Sequence, residues 1–387
     1  MSLSQALSLL PRRDLLEGPT PIQRLHGIEN ALGSSLNGVR IFVKRDDLTS
    51  LGGGGNKLRK LEFLLGDAAA RGADTIIVTG GRQSNFARLA AAAAASLGLA
   101  CEVVLAHMVA RAGSEYDQNG NVLLDNLFGA RIHDLSAGDD STRFAEARAE
   151  ELRRAGQIAY VATLGGSSTV GSVGYAACAL EIQTQSNDLG IDFAAVAVPN
   201  GSCGTQAGLV AGYRALGLDT TQVRSHSGLA PAASANAATV EKANAALALL
   251  GFDPSLTSND VKVSGDQLGQ GYGLPTPAMV EAVRLLASRQ GLLIDPVYGG
   301  KAFAGLLADI SAGQYKAGDN VLFIMTGGSP GLYAYASHFL GDDREALSCW
   351  PKECGFRFVP AGFSEREAGH RSDLKPAAIP INFRPGF

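Results

Sequence analysis

Short runs of unbroken apolar residues recur along this chain, each followed by a stretch with helical periodicity. This alternation constrains the fold more than any other feature. Val39–Lys44, Thr75–Thr79, Cys101–Leu105, Ala130–His133 and Ala159–Ala162 read as strands, and Lys57–Arg71, Ser84–Leu97, Asn119–Leu127 and Ser141–Ala155 as the helices between them. Phe193–Val198 and Asn320–Met325 are two later strands, each running into a Gly-rich turn and then a helix. A strand that is apolar throughout is covered on both faces, the condition of a parallel strand in a layered protein. The expected class is α/β, with doubly wound parallel sheets. Composition agrees: 46% of the residues are hydrophobic and 18% charged, which excludes disorder and allows a sizeable core. Aromatics at 6% and 48 glycines favour small aliphatic packing and tight turns over a sandwich or a coiled coil.

At 387 residues the chain divides into two units. A smaller βα unit is expected over 53–160, and a larger one from 1–52 together with 161–340. The segment 341–387 carries Pro351, Pro360, Pro376, Pro380 and Pro385 with little periodicity, and reads as an extension that wraps the surface or a partner. Residues 228–259, rich in Ala, Ser and Asn, read as a small-residue loop followed by a helix.

Charge and cysteine usage exclude several classes of function. Lys plus Arg is 33 against 37 for Asp plus Glu, a net −4 that gives no support to nucleic-acid binding. The apolar run near the N-terminus precedes its basic pair, Arg12-Arg13, the reverse of a signal peptide. Ala90–Leu99 is too short to span a bilayer, so no membrane association is expected. The five cysteines, at 101, 178, 203, 349 and 354, make no disulfide framework, and a reducing cytoplasm is the expectation. Cys349 and Cys354 lack the neighbours that would complete a zinc site, so no metal is expected.

The Gly-rich loops carry the chemistry. Neither nucleotide pattern fits: Gly300-Lys301 is followed by Ala302, with Asp295 where a Walker loop starts on Gly, and Gly52–Gly55 runs into Asn56 and Lys57. Asn200-Gly201-Ser202-Cys203-Gly204-Thr205 follows a strand and opens a helical run, Gln206–Leu216. Unpaired N–H groups at a helix start, small residues and two hydroxyls make a cup for a monophosphate; an ordinary tight turn is the plainer alternative. Gly80-Gly81-Arg82-Gln83-Ser84-Asn85-Phe86 has the same setting and suits a carboxylate, or simply an N-cap by Ser84. Gly53-Gly54-Gly55-Asn56-Lys57 sets a lysine just inside a helix, where a cation opposes the dipole. That lysine is either a surface charge or, beside the two cups, the amine that forms a Schiff base with a carbonyl cofactor.

Together these elements resemble the pyridoxal-phosphate enzymes of fold type II (the tryptophan-synthase-β fold). Within that fold the resemblance is to the family of 1-aminocyclopropane-1-carboxylate deaminase and D-cysteine desulfhydrase. It is carried by Pro19-Thr20-Pro21, Lys44-Arg45-Asp46-Asp47, Gly54-Gly55-Asn56-Lys57-x-Arg59-Lys60, Gln83-Ser84-Asn85, Asn119-Gly120-Asn121, Gly201-Ser202-x-Gly204-Thr205, Tyr272-Gly273-x-Pro275, Asp295-Pro296-Val297-Tyr298 and Thr326-Gly327-Gly328. These run in family order over nearly the whole chain.

The resemblance implies that Lys57 holds pyridoxal 5′-phosphate covalently and then moves protons, and that Asn85 faces the 3′-oxygen. Gly201, Ser202, Cys203, Gly204 and Thr205 would take the 5′-phosphate, and Tyr298 would lie against the ring. Ser84, with the backbone of Asn85 and Phe86, would hold the substrate carboxylate. Tyr272 and Tyr298 are the family's candidates for acid–base work, and desolvation beside a cation would bring such a phenol toward working pH. Arg82, by its place on the substrate loop, is either a solvent-facing loop arginine or the group that meets an anionic leaving group such as a sulfonate.

Three positions depart from the family pattern: Phe86 and Met325 stand where relatives have His, and Gly299 where they carry Glu or Thr facing the ring nitrogen. Thr326 or a water is then left to face that nitrogen. Without a carboxylate there the electron sink weakens, which favours β-elimination over opening of a cyclopropane. The expected activity is α,β-elimination from a small β-substituted amino acid, D-cysteine foremost, giving pyruvate, ammonia and the leaving group, in a homodimer. 1-Aminocyclopropane-1-carboxylate deamination and cysteate sulfo-lyase activity are the alternatives on the same scaffold, and a catalytically lapsed metabolite-binding homologue is the alternative of another class.

Overall fold

The computed structural model of the protein describes residues 1–340 other than 110 and 112. The chain opens with α1 (Leu3–Ser8), β1 (Ile22–Arg24), α2 (His26–Leu32), β2 (Arg40–Lys44) and α3 (Lys57–Ala70). Next come β3 (Thr75–Gly81), α4 (Asn85–Leu97), β4 (Ala100–Ala106), α5 (Ser114–Gln118), α6 (Asn121–Leu127), β5 (Arg131–Leu135), α7 (Ser141–Arg154) and β6 (Ala159–Ala162). Then follow α8 (Thr169–Leu189), β7 (Ala195–Asn200), α9 (Gly204–Ala215), β8 (Val223–Ser227), α10 (Ala232–Leu249), β9 (Lys262–Ser264), α11 (Pro277–Gln290), α12 (Gly299–Ser311) and β10 (Asn320–Ile324).

The strands form two sheets. Four parallel strands lie in the order β5-β4-β3-β6, and six in the order β1-β2-β10-β7-β8-β9. The larger sheet is parallel except at its edge, where Ile22–Arg24 pairs antiparallel with β2. This edge strand was not expected: at three residues it is too short to show a period, and only its pairing with Phe42–Lys44 makes it a strand.

Both sheets are covered on both faces, as unbroken apolar strands require. In β7, Val196 and Val198 point into a core with Val173, Leu209 and Leu247, while Ala195 and Ala197 point into one with Ile28, Leu285 and Phe303. In β3, Ile76 and Val78 pack with Leu61 and Leu89, and Ile77 packs with Ala145 and Leu152. Each fully buried Val, Leu, Ile or Phe side chain among these stabilises the fold by about 1.5–3 kcal/mol.

Helix starts follow local chemistry. Ser84, Asp140 and Ser168 accept N–H bonds from the first turns of α4, α7 and α8. The helix expected over Asn119–Leu127 is α6, which starts at Asn121 because Gly120, with a positive φ of 61°, separates it from α5, a short helix that was not expected. Residues 228–259 hold a helix, α10, over most of their length. The Pro-rich segment 341–387 and the pair Cys349 and Cys354 lie outside the described residues. Among those that are described, no helix is long and apolar enough to cross a membrane.

Beneath the larger sheet lies a buried polar network. Arg59 donates to Asp46 at 2.8 and 2.9 Å and to Glu181 at 2.8 and 3.0 Å, Lys44 pairs with Glu181, and Tyr175 donates to Asp46 at 2.5 Å. Burial alone would raise the Asp46 carboxyl, but Arg59, Lys44 and Tyr175 hold it below the usual carboxylate range.

Candidate active site

Three chain segments that each turn from extended backbone into a helix converge on one pocket. It is lined by Lys57 at the start of α3, by Ser84, Asn85 and Phe86 at the start of α4, and by Gly201, Ser202, Cys203 and Thr205 at the start of α9. Tyr272, Tyr298 and Thr326 complete the wall. Residues far apart in sequence meet because α4 and α9 start just past the ends of the parallel strands β3 and β7, and Gly55, before α3, bridges Gly327, just past the end of β10.

The Lys57 ammonium is half-buried and, among the described residues, has no hydrogen-bond or ion-pair partner. Burial brings its pKa down to about 8, against the pull of the Asp295 carboxylate. An amine so placed is neutral in a substantial fraction near neutral pH and free to react. The glycine run before it is held by Arg88, which donates to the carbonyls of Gly52 and of Gly54, the latter at 3.0 Å.

Asn85 is oriented by its neighbours. Asn121 Nδ2 donates to Asn85 Oδ1 at 3.0 Å, and Gln83 Oε1 accepts the Asn121 N–H at 2.9 Å. The Asn85 amide nitrogen is thereby left as a donor for the pocket. Ser84 Oγ caps α4 by accepting the Ala87 N–H at 3.1 Å, which leaves the N–H groups of Asn85 and Phe86 without intrahelical partners. The N-cap reading and the carboxylate reading of this loop are therefore compatible.

At the third helix start, Cys203 has a left-handed φ of 70°, and the Thr205 hydroxyl accepts from Asn56 Nδ2 at 3.3 Å. A side chain at Gly201 would stand 2.6 Å from the Tyr298 ring, so only glycine lets that ring lie on the cup. Gly204 sits behind the cup: its N–H turns inward to Ser167 Oγ, at 3.3 Å, and it does not line the pocket.

Tyr272 and Tyr298 share a hydroxyl–hydroxyl bond of 2.7 Å. The expected shift of these phenols toward working pH is not found. Burial pushes both upward, Tyr272 with the Tyr298 ring and hydroxyl acting in the same direction, so both are neutral O–H groups. The Asp295 carboxyl, itself raised by burial, accepts N–H bonds from Val297, Tyr298 and Gly299 at 2.8–3.0 Å and fixes the turn that carries Tyr298.

Arg82 does not line the pocket. Its guanidinium pairs with Asp134 and donates to the Asp117 carbonyl at 2.9 Å, so it is drawn to neighbouring segments and away from the pocket. Phe86 lines the wall from within the apolar core of the smaller sheet, and Met325 is fully buried in a core of the larger. At Gly299 a side chain would stand 2.4 Å from Ile294, so packing excludes the Glu or Thr expected from the resemblance.

Two groups near the pocket have no role in the sequence reading. Lys60, fully buried, donates to Ser167 Oγ at 2.9 Å and to the Gly165 carbonyl at 3.2 Å, and Ser167 Oγ bonds Ser202 Oγ at 2.7 Å. Lys60 thus puts an N–H donor behind the cup, linked to Ser202 through Ser167. Arg88 is the other. The signal for Lys60 was its spacing: residues 57 and 60 lie one turn apart on one helix face.

Residues 13–327 match the family model for pyridoxal-phosphate dependent enzymes. The chain belongs to that family, and its cofactor is pyridoxal 5′-phosphate. It is similar to the D-cysteine desulfhydrase of Salmonella schwarzengrund strain CVM19633, with 39% identity over 336 residues, which is 86% of this chain and 98% of the relative. It also resembles the crystal structure of an ACC deaminase homologue, with a TM-score of 0.77 and 35% identity over 88% of this chain and 98% of that one. An O-ureido-L-serine synthase shares the fold at a TM-score of 0.57 and 18% identity, over 89% of this chain and 98% of that one.

The residues present fit the cofactor. A reactive amine, an oriented amide donor and a helix start backed by the Lys60–Ser167 hydrogen bond match its aldehyde, its ring hydroxyl and its phosphate in turn.

Proposed function

We propose that the chain is a lyase that eliminates the β-substituent of a small amino acid, D-cysteine or another β-substituted alanine, releasing pyruvate, ammonia and the departing group. The observation that carries this reading is the convergence of the Lys57 amine, the Ser84–Phe86 and Gly201–Thr205 helix starts and the Tyr272–Tyr298 hydroxyl pair on one pocket. When bound, the cofactor supplies an electron-withdrawing ring in conjugation with the substrate α-carbon. Lys57 Nζ takes the α-proton, a role suited to an amine with a pKa near 8. The Ser84 hydroxyl and the N–H groups of Asn85 and Phe86 hold the substrate carboxylate against a helix N-terminus. The hydroxyls of Tyr272 and Tyr298, both protonated, donate to the leaving sulfur as its bond to the β-carbon breaks. Asn85 and Thr326 face the ring, Thr326 in place of the side chain that Gly299 lacks.

The units 53–160 and 1–52 with 161–340 belong to the same reading. It is supported by β3 to β6 all falling within 75–162 and by α3 packing against both α8 and α4. A cytoplasmic, homodimeric enzyme is the setting proposed; the buried free thiols of Cys101, Cys178 and Cys203 are suited to it.

Opening of 1-aminocyclopropane-1-carboxylate is the second reading, favoured by the likeness to the ACC deaminase homologue. Product analysis over a panel of D- and L-amino acids separates the two. Sulfide with pyruvate from D-cysteine is the expected result. α-Ketobutyrate as the main product would replace the proposal with deamination, and sulfite from cysteate would replace it with a sulfo-lyase. Purified protein that gains no visible absorbance with added cofactor would favour a metabolite-binding role.

A further inference from the structure

Tyr272 lies in a loop that has little conformational stiffness of its own. It is flanked by Gly271 and Gly273, both at positive φ, 153° and 70°. Glycine populates these regions readily and leaves them as readily, so such a loop does not fix a phenol. Yet the Tyr272 hydroxyl is held at 2.7 Å from Tyr298, whose own position is set by Asp295 and the start of α12. The stiffness comes from outside the loop. Lys301, one turn into α12 from Tyr298, donates from Nζ to the carbonyls of Leu268 at 2.8 Å and Gly271 at 3.1 Å. Tyr335, on the other side, donates its hydroxyl to the Gly273 carbonyl at 2.8 Å. The two carbonyls that bracket Tyr272 are thus each held by a side chain that is 1% exposed.

Neither residue lines the pocket, and Tyr335 belongs to the small apolar cluster against which the Tyr272 and Tyr298 rings pack. Lys301 is an expensive residue for packing alone: burial pulls its ammonium down to about 8, and its hydrogen bonds run only to neutral carbonyls. Tyr335 reaches further. Its ring lies under the Arg111 guanidinium at 4.4 Å and edge-on to Tyr116 at 5.9 Å, and the Tyr116 carbonyl accepts from Gln83, next to Ser84. The contacts that fix the Tyr272 loop therefore continue to the loop that carries Ser84.

We propose that Lys301 and Tyr335 are positioning residues that clamp the 271–273 backbone and hold the Tyr272 hydroxyl against Tyr298, where it serves the leaving group. This rests on the reading of Tyr272 as a proton donor. The test is a mutant cycle on the holoenzyme with Tyr272→Phe, Lys301→Met and Tyr335→Phe, singly and in pairs. Lys301→Met should lower kcat by about tenfold or more while cofactor absorbance and affinity stay unchanged, and Lys301→Arg should recover part of the loss. In the Tyr272→Phe background, Lys301→Met or Tyr335→Phe should cost no more than about twofold further, because the group they position is already gone. Losses that multiply would overturn the clamp. A full-rate Tyr272→Phe enzyme would instead overturn the role of Tyr272 itself. Tyr335→Phe removes a single oxygen, so the cycle stays readable if Lys301→Met fails to fold.

Discussion

The first turn of α3 carries cations two residues apart whose surroundings could hardly differ more. Arg59 faces the network under the larger sheet, where Asp46, Glu181 and Thr20 occupy its donors, and its pKa is raised because these partners outweigh burial. Lys57 faces the pocket, where burial dominates and lowers its amine to about 8. One helix turn thus holds a charge that is locked and a charge that is poised. Lys60, one turn beyond Lys57, falls between the two: it is buried and hydrogen-bonded like Arg59, yet it lies on the pocket side and its pKa is lowered, by burial first and by Lys57 next. The lesson is that lysine is placed where the proton must move and arginine where it must not.

That contrast can be broken at its poised end first. Lys57→Ala should reduce turnover by about a hundred- to ten-thousand-fold or more and remove the visible absorbance of the bound cofactor, with little change in the melting temperature. A turnover assay and an absorbance spectrum of the variant check it. Breaking the locked end should do the reverse. Arg59→Met leaves Asp46 and Glu181 without their main partner and should destabilise the fold by about 3–5 kcal/mol in denaturant titration, while whatever folds remains active. Because both carboxyls are held below their ordinary values of 3.8 and 4.5, the network's stabilisation is complete above those values. It is lost as the pH falls through the depressed ones, and an acid-unfolding midpoint that moves upward in Arg59→Met checks the sign.

Two smaller effects sharpen the contrast. Lys60→Met, which removes the donor behind the cup that orients Ser167 and through it Ser202, but no group of the pocket wall, should weaken cofactor binding by about ten- to a hundred-fold, read by titration of the cofactor-free protein. The rate at which cofactor-free protein captures pyridoxal phosphate should rise with pH through a midpoint of about 8, since only the neutral Lys57 amine condenses with an aldehyde. A midpoint near the ordinary lysine value of 10.5 would show that burial does not tune this amine.

Much of this was legible in the chain. Strands with unbroken apolar runs announce themselves, and β2, β3, β4, β6, β7 and β10 all lie where such runs are found. Of the helices that escaped notice, α8 is the longest among the described residues, at 21 residues. It is buried on most of its circumference and so shows no apolar stripe, and its small residues serve close approach: a side chain at Gly174 would stand 2.0 Å from the Arg59 carbonyl. Arg82 shows the opposite failure. Its place on the substrate loop pointed to a ligand, but Asp134, on a strand two positions away in the sheet, claims it, and no local pattern reveals which strand neighbours a loop. The direction of the Tyr272 and Tyr298 shifts was also beyond the sequence, because burial by distant parts of the chain sets it, and for Tyr298 outweighs the hydrogen bond with Tyr272.

By itself the sequence determined the layered parallel architecture, the three glycine-bearing helix starts and the chemical kinds of group they carry, since each follows from local periodicity, turn chemistry and N-cap preference. Only the tertiary structure decided which of the cations on α3 is reactive, that Gly299 is closed off by Ile294, and that Tyr272 is held by Lys301 and Tyr335. These outcomes depend on what packs against a residue from distant parts of the chain. Burial and hydrogen bonding, which set both pKa and position, are properties of those contacts and not of any local stretch of residues.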